Sequence, residues 1–325
     1  MRIVLCYELT PRHVEQLRAV APDHEFIPAS QERIAEEILE ADIFCGHAKV
    51  PMPWPEVVRR GRLRWIQSSA SGLDHCLTPE VIQSDIIVTS ASGVFADSVA
   101  EQTLALLLAL VRSLPTFFRA QQAKSFQRQP TRDLHGATVG IVGFGGNGRR
   151  IAEILAAFRT RILATDLFPP PRPPAGVEAV WPADRLDALL AESDVLILTL
   201  PLNEFTRGLI NADRLARMKR GAILINVARG PIVVEKDLVA ALTSGHLYGA
   251  GLDVTEVEPL PPTSPLWELP NVVITPHVGA QSAQRADRVT QLFAENLRRY
   301  FEGRTLHNLV DKRLGFPIPR WDESP

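Results

Sequence analysis

Three side chains able to handle a proton and an acid stand just beyond short apolar runs. Arg229 lies in Ile225-Asn226-Val227-Ala228-Arg229-Gly230, Glu258 in the stretch Gly251 to Pro259, and His277 in Thr275-Pro276-His277-Val278-Gly279. A guanidinium fork holds a carboxylate in a fixed plane. An imidazole titrates near neutral pH and can move a hydroxyl proton. A carboxylate paired with that imidazole fixes its tautomer and raises its pKa. Together the three suit oxidation of an alcohol beside a carboxylate, or the reverse reduction. Singly, each reads better as structural: a surface ion pair, a loop acid, a satisfied histidine. Their common place at the mouth of a nucleotide site shifts the reading toward catalysis.

That nucleotide site is read from Thr138 to Asp166. A β-branched run, Thr138 to Val142, ends on Gly143, and Gly145 and Gly148 complete G-x-G-x-x-G. Ile151, Ile154, Leu155 and Phe158 then recur at helical spacing, and a second apolar strand, Ile162 to Ala164, closes on Asp166. Gly143 permits the tight turn and Gly145 lets the backbone approach a pyrophosphate. Gly148 lets the helix pack on the strand, whose partner helix presents free N–H groups. Asp166 would accept hydrogen bonds from ribose hydroxyls and repel a 2′-phosphate, favouring NAD and disfavouring NADP. A lone glycine motif is weak. Strand, glycines, helix, strand and acid in the required order are strong.

The elements that must position these groups form α/β units. Strands are predicted at Ile3–Cys6, Glu25–Pro28, Asp42–Cys45, Leu63–Gln67 and Ile86–Thr89, with helices at Pro11–Val20 and Glu32–Leu39 between them. Ligands of such sheets sit at the carboxyl ends, here Cys45-Gly46-His47 and Ser68-Ser69-Ala70-Ser71-Gly72. A long apolar helix begins near Asp97, with Asp97 or Ser98 as its cap, and a polar stretch runs from Gln121 to Arg132. Strands resume at Val195–Thr199, Ile223–Asn226, Gly249–Val254 and Val272–Thr275, giving the nucleotide unit about six parallel strands. Pro169 to Pro174 reads as a surface loop, and a final helix is predicted from about Ala280 to Phe301. The tail after Leu314 is expected to wrap a surface. The fold class is therefore α/β, two doubly wound parallel-sheet domains. Residues 98–280 form a Rossmann NAD-binding domain inserted into a flavodoxin-like substrate domain of residues 1–97 and 281–325. Substrate is expected in a cleft over the cofactor.

At this point the chain resembles the D-isomer-specific 2-hydroxyacid dehydrogenase family along nearly its whole length. The resemblance is carried by Ser71-Gly72-Leu73-Asp74, Ser98-Val99-Ala100-Glu101, Gly143 to Gly148, and Leu200-Pro201-Leu202 with Thr206. It continues in Asn226 to Gly230, Gly251-Leu252-Asp253-Val254 with Glu258-Pro259, and Thr275 to Gly279. It implies His277 as acid/base, Glu258 as its partner, and Arg229 as the clamp on the substrate carboxylate and carbonyl. It implies backbone N–H groups of Ser71 and Gly72 as further carboxylate donors. Cofactor contacts are implied along Gly143, Phe144, Gly145, Gly146, Asn147 and Gly148, and at Asp166, Leu200, Val227, Ala228, Asp253, His277 and Gly279. Asp253 would meet the nicotinamide carboxamide. A homodimer is implied, through the nucleotide domain and the Asp97–Val111 helix region.

Three departures bear on the chemistry. Gly146-Asn147 stands where relatives often carry arginine and a branched aliphatic residue, so a cation is missing beside the pyrophosphate unless Arg149 replaces it. Cys45 and His47, with Lys49 nearby, stand where phosphoglycerate dehydrogenases carry phosphate-binding arginines; His47 is kept as a substrate-binding candidate. Glu258 stands where formate dehydrogenases carry glutamine, which argues against that chemistry.

Composition excludes other classes. The 325 residues are 46% hydrophobic and 22% charged with a net charge of −2, which gives no argument for nucleic acid or an anionic membrane partner. The longest apolar run, Thr103 to Val111, is too short to span a bilayer. The chain opens directly on a strand, so a cytoplasmic protein without a signal peptide is expected. Cys6, Cys45 and Cys76 have no metal-ligand spacing and read as reduced thiols. The expected activity is NAD-dependent hydride transfer between nicotinamide and a small D-2-hydroxy or 2-keto acid. A nucleotide-sensing, corepressor-like scaffold of the same fold is the rival reading.

Overall fold

The computed structural model describes residues 1–126, 128–319 and 321. The chain divides into two compact units, Met1–Phe95 with Ser282–Ile318, and Ala96–Gln281 with Pro319 and Trp321.

The first unit alternates strand and helix: β1 (Arg2–Cys6), α1 (Pro11–Val20), β2 (Glu25–Pro28), α2 (Ile34–Glu37), β3 (Ile43–Gly46), α3 (Trp54–Arg60), β4 (Trp65–Ser68), α4 (Pro79–Gln83) and β5 (Ile87–Thr89). The five strands are parallel in the order β2-β1-β3-β4-β5, the doubly wound arrangement of flavodoxin-like sheets. Strands covered on both faces read as continuous apolar runs, and every residue of β3 and β4 is buried. Polar groups inside are satisfied: Gln67 Oε1 accepts from Thr89 Oγ1 at 2.8 Å and from Asn296 Nδ2 at 2.9 Å. All three cysteines are buried and free; burial raises their pKa values, that of Cys76 to about 12, so they are poor nucleophiles.

The second unit opens with α5 (Ala96–Val111) and α6 (Leu114–Gln122). It continues with β6 (Thr138–Val142), α7 (Gly146–Ala156), β7 (Arg161–Asp166), β8 (Ala179–Pro182), α8 (Leu186–Glu192) and β9 (Val195–Leu198). It ends with α9 (Ala212–Arg217), β10 (Ala222–Asn226), α10 (Glu235–Thr243), β11 (Leu247–Leu252) and β12 (Val272–Ile274). Its seven strands are parallel in the order β12-β11-β10-β9-β6-β7-β8, which contains the Rossmann order. Strands β6, β9 and β10 are buried throughout.

The chain then returns to the first unit with α11 (Arg285–Phe301), which packs beside α1, and a short hairpin of β13 (Val310–Asp311) and β14 (Phe316–Pro317).

Several expectations change. Seven strands replace about six, because Ala179–Pro182, a partly buried run of four residues, pairs with β7 at the sheet edge. Helix α5 starts at Ala96, so Asp97 is in its first turn, where it pairs with Arg150 at 2.7 Å. Helix α6 covers the start of the expected polar stretch. Helix α11 begins at Arg285 rather than near Ala280. Pro319 and Trp321 group with the second unit and not the first, because the Trp321 indole is anchored on Phe168. No single helix among the described residues is long and apolar enough to cross a membrane.

Candidate active site

In the second unit the chain ends of β10, β11 and β12 bring Arg229, Glu258 and His277 into one neighbourhood. His277 follows β12 with a left-handed backbone, φ 54°, and its N–H donates to the Asp253 carbonyl at 2.8 Å. Its Nδ1 lies 2.8 Å from Glu258 Oε2. Burial alone would raise the Glu258 carboxyl. The His277 hydrogen bond and charge, the Thr255 N–H at 3.2 Å and the Arg229 charge outweigh it and hold the group below the usual carboxylate range. Both side chains keep an open side, 45% exposed for His277 and 39% for Glu258, so the imidazole can reach a ligand. The Glu258–Pro259 peptide is cis.

Arg229 follows the buried strand β10 and donates from Nη1 to the Ala228 carbonyl at 2.7 Å. Asn226 shapes the turn: its Oδ1 accepts the Ala228 N–H at 3.1 Å and its Nδ2 donates to the Arg229 carbonyl at 3.1 Å. Gly230 is required next, since a Cβ there would sit 1.7 Å from the Thr255 carbonyl oxygen.

The loop carrying His277 is braced by the buried carboxylate of Asp253. Its Oδ1 accepts from Thr275 Oγ1 at 2.7 Å and from the Val278 N–H at 3.0 Å; its Oδ2 accepts the Gly279 N–H at 2.8 Å. Gln102 on α5 donates to Thr275 Oγ1 at 2.8 Å. Neither role is legible locally, because Gln102 is 173 positions from its partner. A carboxylate has about four acceptor positions, so Asp253 keeps one for a further donor.

The glycine loop fits a dinucleotide. Gly143 has φ +90°, and a Cβ there would meet the Leu200 backbone nitrogen at 2.9 Å; a Cβ on Gly148 would lie 2.3 Å from the Gly143 carbonyl oxygen. A Cβ on Gly145 would meet nothing within 4 Å, so the space over the N-terminus of α7 is open. Asn147 Oδ1 is buried without a hydrogen-bond partner among the described residues, a polar atom that a ligand could satisfy. Asp166 accepts the Phe144 N–H at 2.6 Å on one oxygen and the Phe168 N–H at 2.8 Å on the other, tying the glycine loop to the turn after β7. Leu200 is half-buried, and Val227 and Ala228 are buried, beside these loops.

In the first unit, Ser71 and Gly72 follow β4. The Ser71 hydroxyl donates to the Ala91 carbonyl at 3.1 Å, and the N–H groups of Ser71 and Gly72 donate to no protein acceptor among the described residues. His47, after β3, lies in a ring stack with His75, centroids 4.0 Å apart and 10° from parallel. His75 had no sequence signal of its own.

The model for the NAD-binding domain of D-isomer-specific 2-hydroxyacid dehydrogenases matches residues 104–279. The chain belongs to the D-isomer-specific 2-hydroxyacid dehydrogenase family. It is 37% identical to a glyoxylate reductase of Thermofilum pendens over 88% of this chain and 86% of the relative. A D-isomer-specific 2-hydroxyacid dehydrogenase from Xanthobacter autotrophicus, solved with NADPH and MES, superposes with a TM-score of 0.83 at 31% identity, covering 97% of this chain and 99% of that one. An NADPH-dependent glyoxylate/hydroxypyruvate reductase from Sinorhizobium meliloti, solved with NADP and sulfate, gives 0.81 at 29% identity over 97% and 99%. This dehydrogenase is an oxidoreductase that uses a nicotinamide cofactor on a 2-hydroxy acid or its keto form.

Proposed function

We propose that this dehydrogenase reduces a small 2-keto acid to the D-2-hydroxy acid with NADH. The observation that carries the reading is the Glu258–His277 pair at 2.8 Å, with the Arg229 charge acting on the same carboxylate. Bound nicotinamide supplies the hydride that reaches C2 of the acid. His277, oriented by the contact of its Nδ1 with Glu258, gives a proton from its Nε2 to the carbonyl oxygen. The Arg229 fork holds the substrate carboxylate and polarises the carbonyl. The unclaimed N–H groups of Ser71 and Gly72 take the carboxylate as well, and His47 contacts the substrate. The reverse reaction uses the same groups with His277 as base.

For the cofactor, Gly143 to Gly148 receive the pyrophosphate and Asp253 offers its remaining acceptor position to the carboxamide. Asp166 already carries two backbone N–H groups, and its negative charge would meet a 2′-phosphate, so NADH is favoured over NADPH. The Xanthobacter and Sinorhizobium structures contain NADPH or NADP, which makes this preference a property to be measured on this chain.

The protein is proposed to work as a cytoplasmic homodimer. Leu114 and Phe118 on α6, and Phe126 after it, are 37%, 58% and 101% exposed, just beyond the α5 region. A second copy covering them would remove that apolar surface from water.

The reaction is tested by following NADH absorbance with purified protein and a panel of glyoxylate, hydroxypyruvate, pyruvate, and branched-chain and phenyl 2-keto acids. Turnover on one member supports the reading and sizes the pocket. Silence across the panel, with NADH binding demonstrated separately, favours a nucleotide-sensing scaffold.

A further inference from the structure

One side chain of the second unit touches both segments that face a dinucleotide's adenosine half. The Trp321 Nε1–H donates to the Phe168 carbonyl at 3.1 Å. The Arg149 guanidinium lies over the same indole, 5.3 Å from its centroid. Phe168 is two residues past Asp166, and its N–H donates to that carboxylate at 2.8 Å. Arg149 is one residue past Gly148, in the first turn of α7, where its N–H donates to the Gly145 carbonyl at 3.0 Å. Trp321 therefore bridges the turn after the ribose-binding acid and the turn after the glycines, two segments otherwise joined through the Asp166–Phe144 hydrogen bond.

We propose that Trp321 is a cofactor-positioning residue that clamps the Phe168 turn to Arg149 and presets the adenosine half of the dinucleotide site. Gly146-Asn147 puts no cation between the second and third glycines, so Arg149 and Arg150 are the first cations of the helix. Arg150 is committed to Asp97 and Glu153 at 2.7 Å each. Arg149 is exposed and would otherwise sample many rotamers. The indole face keeps its guanidinium beside the loop without neutralising it. The hydrogen bond to Phe168 stiffens the turn that Asp166 begins. Both effects lower the ordering cost of binding. The inference rests on the dinucleotide part of the proposed function and not on its keto-acid chemistry.

The test compares wild type, Trp321→Ala and Trp321→Phe by calorimetric titration with NADH, ADP-ribose and nicotinamide mononucleotide. Trp321→Ala is expected to weaken NADH and ADP-ribose by the same factor, about tenfold for the loss of one hydrogen bond and one cation–π contact. Nicotinamide mononucleotide binding, the melting temperature and kcat at saturating NADH should not move. Trp321→Phe keeps an aromatic ring for Arg149 without the donor and should fall between. Equal ADP-ribose affinity in wild type and Trp321→Ala overturns the proposal. So does a loss shared by nicotinamide mononucleotide or accompanied by a lower melting temperature, which marks a purely structural role. Wild type that binds ADP-ribose but reduces no keto acid would overturn the reaction assignment and leave this comparison standing.

Discussion

Replacing Glu258 with glutamine separates the charge of the Glu258–His277 pair from its shape. Glutamine keeps the volume and an oxygen for the His277 Nδ1–H, so the 2.8 Å contact can persist as a neutral hydrogen bond. What is lost is the negative charge that faces the imidazole. Charge-assisted hydrogen bonds are worth about 1.5–3 kcal/mol and neutral ones about 0.5–1.5 kcal/mol. With the side chains 45% and 39% exposed, solvent screening puts the difference at the low end, about 1 kcal/mol. That is about a fivefold change in rate. The sign follows from the direction of the Glu258 shift. Its carboxyl is held below the usual range, so the carboxylate is present at neutral pH and is lost only as pH falls through the lowered value. Glutamine does not titrate, so kcat/KM of the variant should lack the fall that wild type shows as Glu258 takes up its proton. At neutral pH, reduction should slow by about fivefold, a gap that closes as pH falls through the lowered Glu258 value, while NADH affinity stays as in wild type. Stopped-flow or steady-state NADH oxidation across pH in one ionic-strength-matched buffer series reads both. A rate gap that stays the same at every pH would show that Glu258 acts through position alone and that its charge contributes nothing.

Other outcomes follow from the same geometry. His277→Ala should lower turnover by about two to four orders of magnitude with NADH binding nearly intact, since the backbone of its loop is held by Asp253; wild-type turnover would remove His277 from the mechanism. Asp166→Ala should lower the ratio of NADH to NADPH efficiency by at least about tenfold, because like charges brought together cost a few kcal/mol; an unchanged ratio would mean the acid does not read the ribose. Phe118→Ser with Phe126→Ser should convert a dimer to a monomer in sedimentation equilibrium, and an unchanged mass would place the interface elsewhere or show that none exists.

Much of the site was legible because it is built from chain segments whose local chemistry is demanding. G-x-G-x-x-G needs no tertiary information: Gly143 turns at positive φ, and Gly148 lies against the Gly143 carbonyl, so both constraints sit within a few residues. The parallel character of the two sheets was likewise written in the alternation of strand and helix along the chain, as in β9, α9, β10, α10 and β11. Arg229, Glu258 and His277 could be named one by one, but their meeting depends on β10, β11 and β12 ending side by side. Sequence spacing does not encode that adjacency. The tertiary structure alone decided that Asp253 braces the His277 loop, that Gln102 reaches Thr275 across 173 positions, and that Ala179–Pro182 pairs as an edge strand. It alone laid Trp321 against Phe168 and Arg149. The division has one physical cause. Backbone conformation and strand burial are dictated by neighbours a few residues away, whereas hydrogen bonds between distant side chains exist only after the sheet has fixed where each strand ends.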